Sequence, residues 1–104
     1  MLIKPEVEKT EWGEVTTFLK KKFESGAFID AGLFKCEVGK KLQLHMHEGG
    51  EEYCWVFKGA AIFVIDGKNY EVNAGEVIKI PKDVDHTSFP KGNEPFSSFF
   101  IVCP

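Results

Sequence analysis

The sequence predicts an all-β fold, an antiparallel sandwich or barrel, on three observations. From Gly26 onward, short strand-compatible runs are separated by turn residues at close spacing. Asp66-Gly67 stands between two such runs as a strong hairpin signal. No segment carries a convincing helical period.

The elements follow in order. Pro5 and its neighbours read as a terminus that either stays mobile or pairs along a sheet edge. Residues 15–23 are β-compatible until Lys20-Lys21-Lys22, which reads as a solvated face or a strand edge that discourages aggregation. Residues 27–38 alternate Phe34, Cys36 and Val38 with Lys35 and Glu37, as a strand with one buried face does. Gly39-Lys40-Lys41 breaks this run, residues 42–47 are expected to form a strand, and Glu48-Gly49-Gly50 turns. Residues 51–57 return and Lys58-Gly59 turns again. The hairpin arms are 60–65 and 69–72, closed off by Asn73-Ala74-Gly75. Residues 76–80 lead into Pro81-Lys82-Asp83, where the proline ring fixes φ for a tight turn. Residues 85–89 and 96–103 are the last two strands, with a loop between them.

A chain of 104 residues is expected to be one domain, spanning 1–104. Its 43% hydrophobic and 28% charged content is ordinary for a soluble globular protein, and ten phenylalanines suit a small β-rich core. Three cysteines cannot all pair and none sits in a C-x-x-C arrangement, which predicts reduced thiols and a cytoplasmic location. No apolar run is long enough for a signal peptide or a bilayer span, so no membrane partner is expected. All thirteen basic residues are lysine and the net charge is −3. Without arginine the chain lacks the bidentate fork used for phosphate, carboxylate and guanine. Nucleic-acid binding is therefore not expected, nor is a substrate held by an arginine–carboxylate clamp.

The chain has three histidines, His45, His47 and His86. On a strand, His45 and His47 share one face, because side chains alternate with period two. Glu52 follows after a short acidic, glycine-containing turn, and His86 arrives from a distant run. Imidazole with carboxylate suits one borderline divalent metal per chain: iron, manganese, nickel, zinc or copper.

At these residues the chain resembles the cupin superfamily. Its first motif, G-(x)5-H-x-H-(x)3–4-E-(x)6-G, is matched by Gly39, His45, His47, Glu52 and Gly59. Its second, G-(x)5-P-x-G-(x)2-H-(x)3-N, is matched by Gly75, Pro81 and His86, with Asp83 in place of the middle glycine and Pro90 in place of the final asparagine. Aspartate tolerates a left-handed turn better than most residues, so the first departure is mild. The resemblance implies a double-stranded β-helix, or jelly-roll barrel, with His45, His47, Glu52 and His86 as metal ligands. It also implies dioxygenase-, isomerase-, cyclase- or lyase-type chemistry on a small molecule that coordinates the metal. The alternative is a non-catalytic, metal-dependent binding or sensing module.

Glu51 and Glu52 compete for the carboxylate role. The distance to Gly59 selects Glu52, and so does alternation: Glu52, Cys54 and Val56 face the cavity while Glu51, Tyr53, Trp55 and Phe57 face out. An outward face bearing Tyr53, Trp55 and Phe57 is too apolar for water, so the N-terminal strand or a second subunit is expected to cover it. The resemblance to small cupins favours a homodimer. Phe34, Cys36, Val38, Cys54 and Val56 are candidate cavity walls; Cys54 is either a small core residue or a redox or ligand thiol. No obvious general base stands elsewhere, though Glu48 and Glu51 are rim candidates.

Overall fold

Alternation of apolar and polar residues drives this chain into two antiparallel sheets that close on one another. The computed structural model describes residues 1–46 and 49–104, and these include nine strands and no helix. The strands are β1 (Glu6–Lys9), β2 (Gly13–Lys22), β3 (Phe28–Cys36), β4 (Glu51–Lys58), β5 (Ala60–Ile65), β6 (Lys68–Asn73), β7 (Val77–Ile80), β8 (His86–Pro90) and β9 (Phe96–Cys103). One sheet has the order β1-β2-β3-β9-β4-β7 and the other β6-β5-β8. Every pairing is antiparallel. This is the double-stranded β-helix that the resemblance implied.

The core lies between the sheets. Phe96 of β9 is fully buried and packs edge-on to Phe34 of β3, ring centroids 5.6 Å apart, and against Phe63 of β5 at 6.0 Å. One side chain thus joins both sheets through paired rings, a contact that adds to the large apolar area it removes from water. Cys36, Cys54, Val56, Ala61, Ile65, Val72 and Ile80 complete the buried cluster.

Turn chemistry sets where strands stop. Gly59 takes φ +73°, and a β-carbon there would lie 2.5 Å from the Pro95 carbonyl oxygen, so only glycine fits between β4 and β5. Asp66 and Gly67 both have positive φ, as the two-residue hairpin turn between β5 and β6 requires. The terminal segment resolves as an edge strand: β1 pairs with β2 from Glu6↔Thr17 to Lys9↔Glu14. It stops short of the lysine triplet, so Lys20, Lys21 and Lys22 form an exposed strand edge, one of the two roles read for them.

Two strand expectations are corrected. Residues 42–46 do not form a strand. They run beside β8 with one isolated bridge, His45↔His86, and a separate bond from the Leu42 N–H to the Ser88 carbonyl at 2.9 Å. Leu44 and Met46 are exposed, opposite in phase to His45 as expected, while Leu42 packs against the core. The second correction is Val38. β3 ends at Cys36, a turn closes with the Lys40 N–H on the Glu37 carbonyl at 3.1 Å, and Val38 at its apex is 45% exposed instead of walling a cavity.

Candidate metal centre

Three of the four proposed ligands meet where β8, β4 and the 42–46 segment come together. The backbones of His45 and His86 exchange two hydrogen bonds, His45 N–H to the His86 carbonyl at 3.1 Å and the reverse at 2.9 Å. This pairing sets the two rings side by side, centroids 4.0 Å apart. Glu52, on the inward face of β4, is 8% exposed, and His86 is 2% exposed. One donor atom from each of His45, Glu52 and His86 can be chosen so that all lie within 4.8 Å of one another. His47 and Glu48 lie outside the described residues.

The imidazoles are oriented by their own backbone. His45 Nδ1 is 2.9 Å from the Gln43 carbonyl, and His86 Nδ1 is 3.2 Å from the Val84 carbonyl. A carbonyl only accepts, so in both rings Nδ1 carries the hydrogen. In a neutral ring Nε2 is then a lone-pair donor, the arrangement by which backbone carbonyls orient metal-binding histidines. His86 Nε2 lies 3.2 Å from Glu52 Oε1. Two acceptors at that separation call for positive charge between them, either a proton on Nε2 or a metal ion. Imidazole and carboxylate donors brought this close fit a borderline divalent cation with bonds of about 2.0–2.2 Å after small side-chain adjustments.

Beside this cluster is an open cavity of about 260 Å³. Trp12, Val15, Phe34, Leu42 and Phe100 form apolar walls, and Asp30, Gln43, His45 and Glu52 supply the polar atoms. Trp12 stacks obliquely on Phe34 with centroids 5.4 Å apart. Of the candidate wall residues, Phe34 lines the cavity. Cys36, Cys54 and Val56 instead sit in the core, because the rings of Phe34 and Phe96 fill the space in front of that part of the sheet. The Cys54 thiol is pushed well above its usual range, first by burial and then by the nearby Glu52 carboxylate. It belongs to the packed interior and not to the three-residue donor group.

Glu51 points away from the site. It accepts a hydrogen bond from the Tyr53 hydroxyl at 2.8 Å and lies 3.4 Å from Lys79, and these partners hold its carboxyl below the ordinary range. Asp83 takes φ +61°, the left-handed turn that its glycine-like motif position requires. Its Oδ1 also accepts the Gly49 N–H at 3.0 Å, tying the turn before His86 to the loop before Glu52.

Sequence reasoning missed Trp12, Val15, Asp30, Leu42, Gln43 and Phe100 as cavity residues. Alternation along β3 could have supplied Asp30, which shares the phase of Phe34 and Cys36.

Residues 32–102 match the cupin domain family. An uncharacterized protein of Methanocaldococcus jannaschii is 34% identical over 66 residues, 64% of this chain and 50% of that protein. The chain therefore spans about half the length of that relative. Among solved structures, an uncharacterized Klebsiella pneumoniae protein with a double-stranded β-helix domain superimposes with a TM-score of 0.79 at 18% identity, over 93% of this chain and 81% of that one. A predicted oxalate decarboxylase from Thermotoga maritima gives 0.73 at 23% identity, over 97% and 92%. The Bacillus subtilis oxalate decarboxylase, studied for its Mn(II) centres, gives 0.77 at 25% identity, over 94% of this chain and 27% of that one.

Proposed function

Because the chain belongs to the cupin domain family, we propose that it binds one divalent transition metal through His45, His47, Glu52 and His86. In this reading it is an enzyme of dioxygenase, isomerase or lyase type acting on a small molecule that reaches the metal through the adjoining cavity. The carrying observation is the approach of His86 Nε2 to Glu52 Oε1 with both described histidines held through Nδ1 by backbone carbonyls. His47 enters on its motif position alone.

When bound, the metal supplies Lewis-acid activation and, if it is iron(II), access to oxygen chemistry. The protein's own residues do the rest. The Gln43 and Val84 carbonyls fix the rings of His45 and His86 before any metal arrives, which lowers the ordering cost of binding. Glu52 contributes the anion that compensates the cation in a half-apolar setting. Trp12, Phe34, Leu42 and Phe100 hold an apolar body against the site and exclude bulk water from it.

The same reading includes a homodimer formed through the outer face of the six-stranded sheet. By register, Val77, Trp55, Phe99 and Leu33 lie side by side across β7, β4, β9 and β3. Phe57 joins Trp55 at 5.9 Å, and Phe18 stacks on Phe99 at 6.1 Å. Val77 is 63% exposed and Trp55 47%, so this apolar band faces solvent in one chain. Three free cysteines support a reducing, cytoplasmic setting. Among the described residues no helix is long and apolar enough to cross a membrane.

The test is elemental mass spectrometry on protein purified without a metal-binding tag, with His86→Ala and Glu52→Gln alongside. The expected result is close to one metal per chain in wild type and loss in both variants, with circular dichroism unchanged. Failure of wild type to retain or take up stoichiometric metal overturns the reading. Metal binding without turnover of thiols, diketones or phenols converts it to a binding module.

A further inference from the structure

Asp30 is the part of the cavity that the metal reading leaves unused. By register it lies on one row across the inner face of the large sheet: Ile80, Glu52, Val102, Asp30, Lys20. Residues directly opposite on paired strands share a face, so Asp30 and Glu52 both project inward. Val102 alone separates them in that row, placing their backbones two strand spacings, about 10 Å, apart. Phe100, two residues along β9 from Val102 and so on the same face, forms part of the cavity wall.

The Asp30 carboxylate lacks the partners that inward-facing carboxylates normally have. Its Oδ1 is shut off from solvent and has no hydrogen-bond donor among the described residues, while the residue as a whole is only partly buried and lines the cavity, so a ligand meets the carboxylate from its open side. A buried acceptor left without a donor is costly. Lys20, its neighbour on the row, is exposed and forms no ion pair with it among the described residues. Glu6, Glu8 and Lys20 edge the adjoining depression, which Asp30 also lines, so the two glutamates outnumber the one lysine there. Among the described residues no lysine lines the main cavity, and arginine is absent from the chain.

We infer that Asp30 is the second recognition group of this cavity, accepting a hydrogen bond from an ammonium or hydroxyl at the end of the ligand remote from the His45–Glu52–His86 cluster. The assignment of the near end rests on the metal reading; that of the far end does not. The metal more than offsets the charge of Glu52, so the near end accepts an anionic coordinating group, and the Asp30 carboxylate repels a ligand that is anionic at the far end as well. The substrate class is therefore a small molecule with a metal-coordinating group at one end and a donor at the other. Dicarboxylates long enough to span the slot are selected against.

The experiment titrates wild type and Asp30→Asn by calorimetry with 4-aminobutanoate, 4-hydroxybutanoate and butanedioate, each with zinc-loaded and metal-stripped protein. Wild type is expected to bind the amine- and hydroxyl-ended probes at least about tenfold more tightly than the dicarboxylate. Asp30→Asn is expected to shrink that ratio to within about threefold by removing the charge, while its metal content stays at the wild-type value. Equal or preferred binding of butanedioate by wild type overturns the inference, as does an unchanged ratio in the variant or no binding of either donor-ended probe. If the variant does not fold, the wild-type ratio decides alone. Absence of bound zinc in wild type defeats the metal reading, and the ratio in metal-stripped protein still judges Asp30.

Discussion

The inner and outer faces of the six-stranded sheet are built from the same strands, one residue out of phase, and do opposite things. On β4 the inward set is Glu52, Cys54 and Val56, all buried; the outward set includes Trp55 and Phe57, both substantially exposed. The inward set mixes a proposed ligand with core. The outward set is apolar without being core. Hydrophobicity alone therefore does not locate this protein's interior. The strand phase does, because period-two alternation leaves each residue only one face to choose.

The sharpest way to break that comparison is to place the same charge on neighbouring residues. Val56 is fully buried between the sheets, so Val56→Asp strands a carboxylate in the core and is expected to cost more than about 4 kcal/mol, most of the stability of a domain of this size. Trp55→Asp is expected to leave the isolated fold within about 1 kcal/mol of wild type, because its side chain already meets water. Urea denaturation compares the two, and similar losses would refute the two-face assignment. Phe96→Ala comes next in size. It removes the ring that joins Phe34 to Phe63 and is expected to cost about 3–5 kcal/mol in the same measurement.

Trp55→Asp also tests what the outer face is for. Sedimentation velocity is expected to show wild type as a dimer and the variant shifted to monomer at micromolar concentration. A monomeric wild type means that the Val77–Trp55–Phe99–Leu33 band is covered by something other than a second copy.

The same phase argument separates what is legible in the sequence from what is not. Glu52 over Glu51, and Trp55 facing outward, are legible because β4 alternates without interruption from Glu51 to Val56, which leaves one unknown, its phase. Val38 is misplaced when that phase is carried past Cys36, where a turn resets it. The 42–46 segment alternates like a strand, but it hydrogen-bonds to β8 at too few points to form a ladder. His45 is legible through its spacing to Glu52, not through local structure. Asp30 is legible as an inward position through its phase with Phe34 and Cys36 but not as a neighbour of Glu52, and Trp12 lies before β2, so its place against Phe34 depends on the packing of β2 on β3. Side chains brought together only by sheet closure leave no local trace.

The buried thiols give a pH prediction. Burial, with a contribution from Glu37 and opposition from Lys40, pushes the Cys36 thiol from 9.0 to about 11. Below pH 9 the thiol is protonated whether the chain is folded or unfolded, so its contribution to stability is fully present. Between 9 and about 11 the unfolded chain loses the proton while the folded one keeps it, which favours unfolding as pH rises. Cys54 is raised by burial too and acts in the same direction. The urea midpoint is expected to fall across this window, and less steeply in Cys36→Ala. Below it, the partly exposed Cys103 should react with a thiol reagent well before the two buried residues. A slope unchanged by Cys36→Ala removes this thiol from the account.

The smallest expected effect falls at Asp83, where the chain departs from its family's motif. Glycine there would relieve the cost of a non-glycine residue at φ +61°, about 1 kcal/mol. It would also delete the Asp83 acceptor for the Gly49 N–H, an exposed bond with a net value of about 0.5–1.5 kcal/mol. The two terms oppose each other, so Asp83→Gly should leave the urea midpoint nearly unchanged. Hydrogen exchange at the Gly49 amide should nevertheless quicken, because the donor then has only solvent. Asp83→Ala separates the terms: it keeps the backbone strain and loses the bond, and is expected to be the less stable of the two variants. If alanine is tolerated as well as glycine, the left-handed geometry is not what this position selects for. The aspartate would then be explained by its link between the two halves of the site alone.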